Sequence, residues 1–176
     1  MIQLYSLMWI LGTFFGLIGL MRGWNKEIIA SAGILLAMFT LLQFDPLFRG
    51  TLLLSFQREY AFLIQALVFM LVVYWAYQNR TFGRTVIGQR IGLQGSILGG
   101  VVGFVNGYLV GGTLWYFMDI NEYPFSPYIV APEPGSPSAE MIGWMPQLIL
   151  TGGVGGSNEF MLILVIILFV LVLLVL

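Results

Sequence analysis

The chain has 176 residues, 59% hydrophobic and only 9% charged, so its composition lies far from the roughly 25% charged content of water-soluble domains. Seven Lys and Arg against eight Asp and Glu leave a net charge of -1, which supplies no basic field for nucleic acid, and no nucleic-acid partner is expected. Cys and His are both absent, which removes disulfides, Cys or His metal sites, haem ligation by His and every His-based acid or base; no cofactor and no metal are expected.

The first apolar segment, Ile2 to Met21, predicts a membrane-spanning helix whose Gly12 and Gly16 lie four apart, with Gly19 following. It lacks a basic leading region and an A-x-A cleavage site and so reads as a retained span. Arg22, Gly23, Trp24, Asn25, Lys26 and Glu27 form a short polar turn, with Trp24 at headgroup level and the charges in water. The second helix follows from Ile28 to Phe44, with Ala30, Gly33 and Ala37 as its small face and Ser31 as a lone small residue suited to packing, and stops at Asp45-Pro46 because proline disfavours helix for its predecessor.

Residues 47 to 60 read as an interfacial helix or as an extended start of the third helix. That third span, Ala61 to Tyr77, carries an aromatic belt of Tyr74, Trp75 and Tyr77 at its far end and Gln65 as its strongly polar residue. A stretch with Arg80, Arg84 and Arg90 leads to the fourth span, Leu93 to Met118. There Gly95, Gly99, Gly103, Gly107 and Gly111 recur at intervals of four, a glycine-zipper pattern that lets another helix backbone approach closely. The same face serves packing within the chain or oligomerisation. Asn106, in the middle of that helix, is suited to a hydrogen bond across a helix interface, with Gln65 as its partner, or to lining a polar path.

Beyond Met118 there is no Lys or Arg, and six of the seven prolines fall between Pro124 and Pro146. Residues 119 to 159 therefore read as an acidic, irregular loop, extended or mobile around Pro132 to Pro137, with Ile142 to Leu150 returning to the interface as a short amphipathic piece. Asp119 and Glu122 read as solvated loop acids. Residues 160 to 176 are uniformly apolar and predict a fifth span or a terminal anchor. The fold class is thus an all-α, polytopic helical membrane protein. It has a four-helix core over residues 1–118, a loop over 119–159 and a C-terminal membrane helix over 160–176.

Five basic residues, Arg22, Lys26, Arg80, Arg84 and Arg90, fall on one side of this zigzag, and Arg49 and Arg58 on the other. The positive-inside rule places the first set in the cytoplasm, and the amino terminus and acidic loop outside. Arg22, Lys26 and Glu27 read first as a topology anchor among headgroups, and second as Arg22 bound to the Glu27 carboxylate or to a lipid phosphate. Arg80, Arg84 and Arg90 read first as cytoplasmic charges and second as a site for anionic lipid or a cytoplasmic partner.

The run from Gly19 through Arg22-Gly23-Trp-Asn-Lys-Glu27 resembles the R-G-x-x-x-E signature of the CvpA-like, colicin V production protein family. The later passage from Arg90 through Gly95, Gly99, Gly103, Asn106 and Gly107 is similar to that family's basic stretch and glycine-rich helix. The resemblance covers about residues 1 to 118. It implies a non-enzymatic protein of the bacterial inner membrane, linked to colicin V production or export and to envelope maintenance, with no catalytic residue to carry over. Membrane lipids, other membrane proteins and self-association are the partners expected. An accessory subunit of a larger bioenergetic complex, or a channel or transporter, are the competing readings.

Overall fold

The computed structural model describes residues 4–52, 56–78, 92–153, 156–157 and 159–175. All regular structure among them is helical: α1 (Leu4–Arg22), α2 (Trp24–Gln43), the single turn α3 (Asp45–Leu47) running into a π-helical turn (Phe48–Leu52), α4 (Arg58–Gln78), α5 (Leu93–Ile120), α6 (Pro137–Glu140), a 3-10 turn (Ile142–Trp144), α7 (Pro146–Thr151) and α8 (Glu159–Val175). Four of these, α1, α2, α4 and α5, are long and apolar enough to cross a membrane, and α8 is a shorter apolar helix. The architecture is an all-α polytopic membrane fold.

The α5 helix is central, touching α1, α2, α4 and α7. Its most extensive partner is α1, and the two run antiparallel: Gly99 lies against Gly19 and Gly23, Gly103 against Phe15 and Gly19, Gly107 against Leu11 and Gly12, and Gly111 against Met8. A Cβ on Gly103 would come 2.5 Å from the Phe15 carbonyl oxygen, and one on Gly107 would come 2.8 Å from the Gly12 Cα, both closer than real Cβ atoms come. Lipid tails are as apolar as leucine side chains, so attraction here comes from backbone-to-backbone van der Waals contact that larger residues would prevent. Gly16 faces the Gly100 carbonyl in the same seam, while Gly95 is half-buried near the start of α5.

On its other side α5 packs against α2 and α4, whose small face is real: Ala30 and Ala37 are buried, and Gly33 abuts Ala76 of α4. Ile34, Met38, Phe69, Val73, Val110 and Phe117 fill the space between these three helices, with the Phe69 and Phe117 rings edge to face at 5.8 Å. α8 lies along α2 and α7.

Several boundaries and one connection differ from the sequence reading. α2 begins at Trp24, four residues before Ile28, because Gly23 at φ 80° makes the whole reversal between α1 and α2 by itself. The expected six-residue polar turn therefore shrinks to one residue. α4 begins at Arg58, three residues before Ala61, while Phe56 and Gln57 ahead of it are not helical, so only residues 58–60 of the 47–60 segment extend the third span and α3 is a separate turn.

The segment from Pro132 to Pro137 is not extended throughout but contains a turn. Pro134-Gly135 occupies the centre of a turn closed by Ser136 N donating to the Glu133 carbonyl at 2.9 Å, Gly135 supplies φ 82°, and the Ser136 hydroxyl then caps α6.

The two arginines on the basic-poor side have structural partners. Arg49 donates to both oxygens of Asp45 and, at 3.1 Å, to the carbonyl of Ile120 at the end of α5, and Arg58 pairs with Glu122. They tie the linker and the start of α4 to the α5 terminus, where unsatisfied carbonyls collect. The Asp45 hydrogen bond raises the Arg49 guanidinium above its ordinary value, against the lowering effect of partial burial. Asp119 accepts from the Tyr123 hydroxyl at 3.0 Å, so neither Asp119 nor Glu122 is a lone solvated acid.

Candidate functional site

The Gly23 elbow has a consequence for chemistry. It makes Arg22 the last residue of α1 and puts Glu27 in the first turn of α2, so the two side chains converge on the inner side of the corner. Arg22 Nε lies 3.3 Å from Glu27 Oε1, with Arg22 19% exposed and Glu27 fully buried. The bare Cα of Gly23 sits against Gly99, so the corner is pressed directly onto α5. A side chain at position 23 would have to take the positive φ that Gly23 adopts, which L residues rarely do.

Glu27 is enclosed by donors from three other helices. Tyr77 of α4 donates its hydroxyl to Glu27 Oε2 at 2.9 Å. Asn106 of α5 gives one amide hydrogen to Oε2 at 3.0 Å and the other to the Glu27 backbone carbonyl at 3.1 Å. Both acceptors lack protons, so the Asn106 nitrogen must face Glu27 and its oxygen must face away. That oxygen meets the Ser31 hydroxyl at 2.6 Å, one helical turn along α2. Ser31 is also 2.9 Å from the Glu27 carbonyl and, with one proton, donates to one of the two at a time.

Arg22 is held in turn by the Tyr77 carbonyl at 3.3 Å and lies over the Tyr77 ring, 4.3 Å from its centre. Phe15 of α1 closes the same ring edge to face at 5.3 Å. Every polar neighbour of the Glu27 side chain is a donor or a cation, the complement of a carboxylate. Oε1 makes no aligned hydrogen bond and relies on the Arg22 charge alone.

The site therefore joins α1, α2, α4 and α5 through one anion. An isolated charge taken out of water costs several kcal/mol, and removing one partner of such a pair typically costs about 3–5 kcal/mol. Intramembrane ionisable residues of this kind mark functional positions by default.

This arrangement corrects the sequence reading in four places. Glu27 is not among headgroups or in water but sealed inside the bundle, with Arg22 as its ion partner. Gln65 is not the partner of Asn106: it accepts from Asn121 at 2.8 Å and donates toward Asp45 at 3.4 Å, at the opposite end of the bundle. Tyr77 belongs to the site and not only to an aromatic belt, whereas Tyr74 and Trp75 do face outward. Ser31, read as a small packing residue, is a hydrogen-bonding member. Its position four after Glu27 on one helix face was the available signal. Lys26 is half-buried beside the corner. Arg80, Arg84 and Arg90 lie outside the described residues.

The two polar clusters do not meet. From Ser31 to Asp45 along α2 is roughly 21 Å of helix, lined on the core side by Ile34, Leu35, Met38 and Leu41. Among the described residues no group of His, Cys, Asp and Glu is arranged to hold a metal ion.

The glycine seam and the Arg22-Gly23-Glu27 corner both fall within the part of the chain that matches a known family model. Residues 6–131 match the model of the colicin V production protein family. The chain belongs to that family. Comparison with curated proteins and with solved structures finds no match. For this member of the colicin V production family, the matched region takes in all of α2, α4 and α5 and most of α1, and so every residue of the Glu27 cluster.

Proposed function

We propose that this colicin V production family member is a non-enzymatic integral protein of the bacterial inner membrane, acting in colicin V production or export or in envelope maintenance through contacts with other membrane proteins. The observation that carries the reading is the closed donor set around Glu27. Tyr77, Asn106 and Arg22 all aim at one carboxylate, which suits a device for holding four helices in a fixed relation more than one for turning over a substrate. A rigid bundle with a lipid-facing apolar sheath and few exposed charges is suited to presenting helix faces to membrane partners.

In this proposal the Arg22 and Lys26 corner is cytoplasmic, with Arg80, Arg84 and Arg90 on the same side, and the loop from 119 to 159 belongs to the outer side of the membrane. The residues 160–176 form a fifth membrane element. The glycine stripe serves packing within the chain, as the seam between α1 and α5 supports, which leaves self-association to other faces.

The test is deletion of the gene in a colicin V-secreting strain, with crosslinking of the tagged protein in native membranes. The reading expects loss of secreted colicin V, rescue by the wild-type chain, and crosslinks to a discrete set of membrane proteins. Unchanged secretion and envelope resistance on deletion would overturn it. Stoichiometric co-purification with cofactor-bearing respiratory subunits would replace it with the accessory-subunit reading.

A further inference from the structure

The geometry points to a re-entrant membrane element: the segment from Ile142 to Thr151, part of the loop after α5, folds back down beside α5 into the hydrocarbon layer and presents Trp144 and Ile149 to acyl chains.

Depth is set by two charged levels on α5. At one end Arg49 reaches the Ile120 carbonyl and Arg58 pairs with Glu122. At the other the Arg22-Gly23 corner packs against Gly99. Between Gly99 and Ile120 lie roughly 32 Å of helix, close to the roughly 30 Å thickness of a bilayer's hydrocarbon core. Measured down from Ile120, Gly112 is about 12 Å deep and Tyr108 about 18 Å deep. Headgroup layers are only about 5–8 Å thick.

The returning segment touches α5 at these two depths. The Pro146 ring presses on the bare Cα of Gly112, where even a methyl group would collide with the Pro146 Cγ at 2.5 Å. Deeper, the Tyr108 hydroxyl donates to the Trp144 carbonyl. Met8 of α1 flanks the same contact with its sulfur 3.4 Å from a Cβ at position 112. The paired glycines Gly111 and Gly112 thus serve two neighbours, one facing α1 and the other facing α7.

Irregular backbone survives at membrane depth only where its polar groups are satisfied or buried in protein. Here the 3-10 turn bonds internally, Trp144 N to Met141 O at 3.0 Å and Met145 N to Ile142 O at 3.0 Å, and the exposed carbonyl of Trp144 takes the Tyr108 proton. Met145 and Pro146 are buried, while Trp144 is 60% exposed and Ile149 about half exposed, so their apolar side chains face outward at a level where lipid surrounds the protein. Tyr128, 91% exposed earlier in the same loop and outside the returning segment, is the comparison position.

The chain has no cysteine, so single replacements report cleanly. Tyr128→Cys, Trp144→Cys and Ile149→Cys in the full-length protein, in membranes opened to both faces, are treated with a water-soluble maleimide. Position 128 should label at the rate seen in denatured protein, and positions 144 and 149 at least about tenfold more slowly, with the difference abolished by denaturation. A nitroxide at position 149 should show high collision with oxygen and low collision with a water-soluble nickel chelate. Labelling at 144 and 149 as fast as at 128 would overturn the inference in favour of a water-filled vestibule. Low collision with both oxygen and nickel would overturn it in favour of a protein cover.

Discussion

Asn106 gives both of its amide hydrogens to Glu27, one to the side chain at 3.0 Å and one to the backbone carbonyl at 3.1 Å, although the two residues are 79 positions apart. The contact makes α5 a donor to the first turn of α2, and it orders the expected losses on mutation. Tyr77→Phe removes one charge-assisted hydrogen bond; Asn106→Ala leaves both a buried carboxylate oxygen and a carbonyl short of a donor, at about 1–3 kcal/mol for each unsatisfied group. Asn106→Asp sets a second anion against the first and should be worse still. Thermal stability in mild detergent should fall in the order wild type, Tyr77→Phe, Asn106→Ala, Asn106→Asp. Equal stability of the last two would be inconsistent with Asn106 acting as a donor to the Glu27 side chain.

The seam between α1 and α5 makes a position-specific prediction. Gly103→Ala and Gly107→Ala drive a methyl group into α1 backbone and should each cost about 1–3 kcal/mol, as overpacked cores do. Gly103→Leu should prevent assembly of the bundle. Gly143→Ala meets nothing within 4 Å and should change stability by no more than about 0.5 kcal/mol. The melting temperatures of the purified variants check this; equal shifts at positions 103 and 143 would refute the seam.

Much of this seam was legible beforehand, because bare positions at intervals of four on α5 and at Gly12 and Gly16 on α1 imply close backbone approach wherever the partner lies. The span positions were legible from apolar runs to within a few residues. The burial of Glu27 was not. Charged residues between two apolar runs read as a turn in water, and only the one-residue reversal at Gly23 folds Glu27 under α5. Its donors lie 50 and 79 positions away, beyond any local pattern. Assigning Asn106 to Gln65 failed for a related reason: each is the strongly polar residue of its span, but the antiparallel register sets them at different depths.

Gln147 is 1% exposed, and neither its amide nitrogen nor its oxygen has a hydrogen-bond partner. Such a group costs about 1–3 kcal/mol. Gln147→Met keeps much of the volume and removes both polar atoms, so it should raise the melting temperature. A drop in stability would mean that the amide is paired in the membrane.

The Asp45–Arg49 pair is exposed enough that its disruption should matter little. Asp45→Asn should cost roughly 0–1 kcal/mol and less at high salt. A guanidinium raised on folding adds stability below its unfolded value and loses it as pH climbs through the folded one. Both values lie above the working range. Stability should therefore be flat between pH 7 and about 10 as far as Arg49 is concerned. A titration of unfolding with a step in that window, removed by Arg49→Met, would contradict the assignment.

Arg22 and Glu27 act as one buried unit, and a double-mutant cycle measures that directly. Arg22→Met and Glu27→Gln should each destabilise the protein by about 3–5 kcal/mol, and the double variant by no more than the worse single change. The reversed pair, Arg22→Glu with Glu27→Arg, should not be rescued, because Tyr77 and Asn106 would then aim donors at a cation. Additive losses in the first cycle, or full recovery in the reversed pair, would contradict the buried lock.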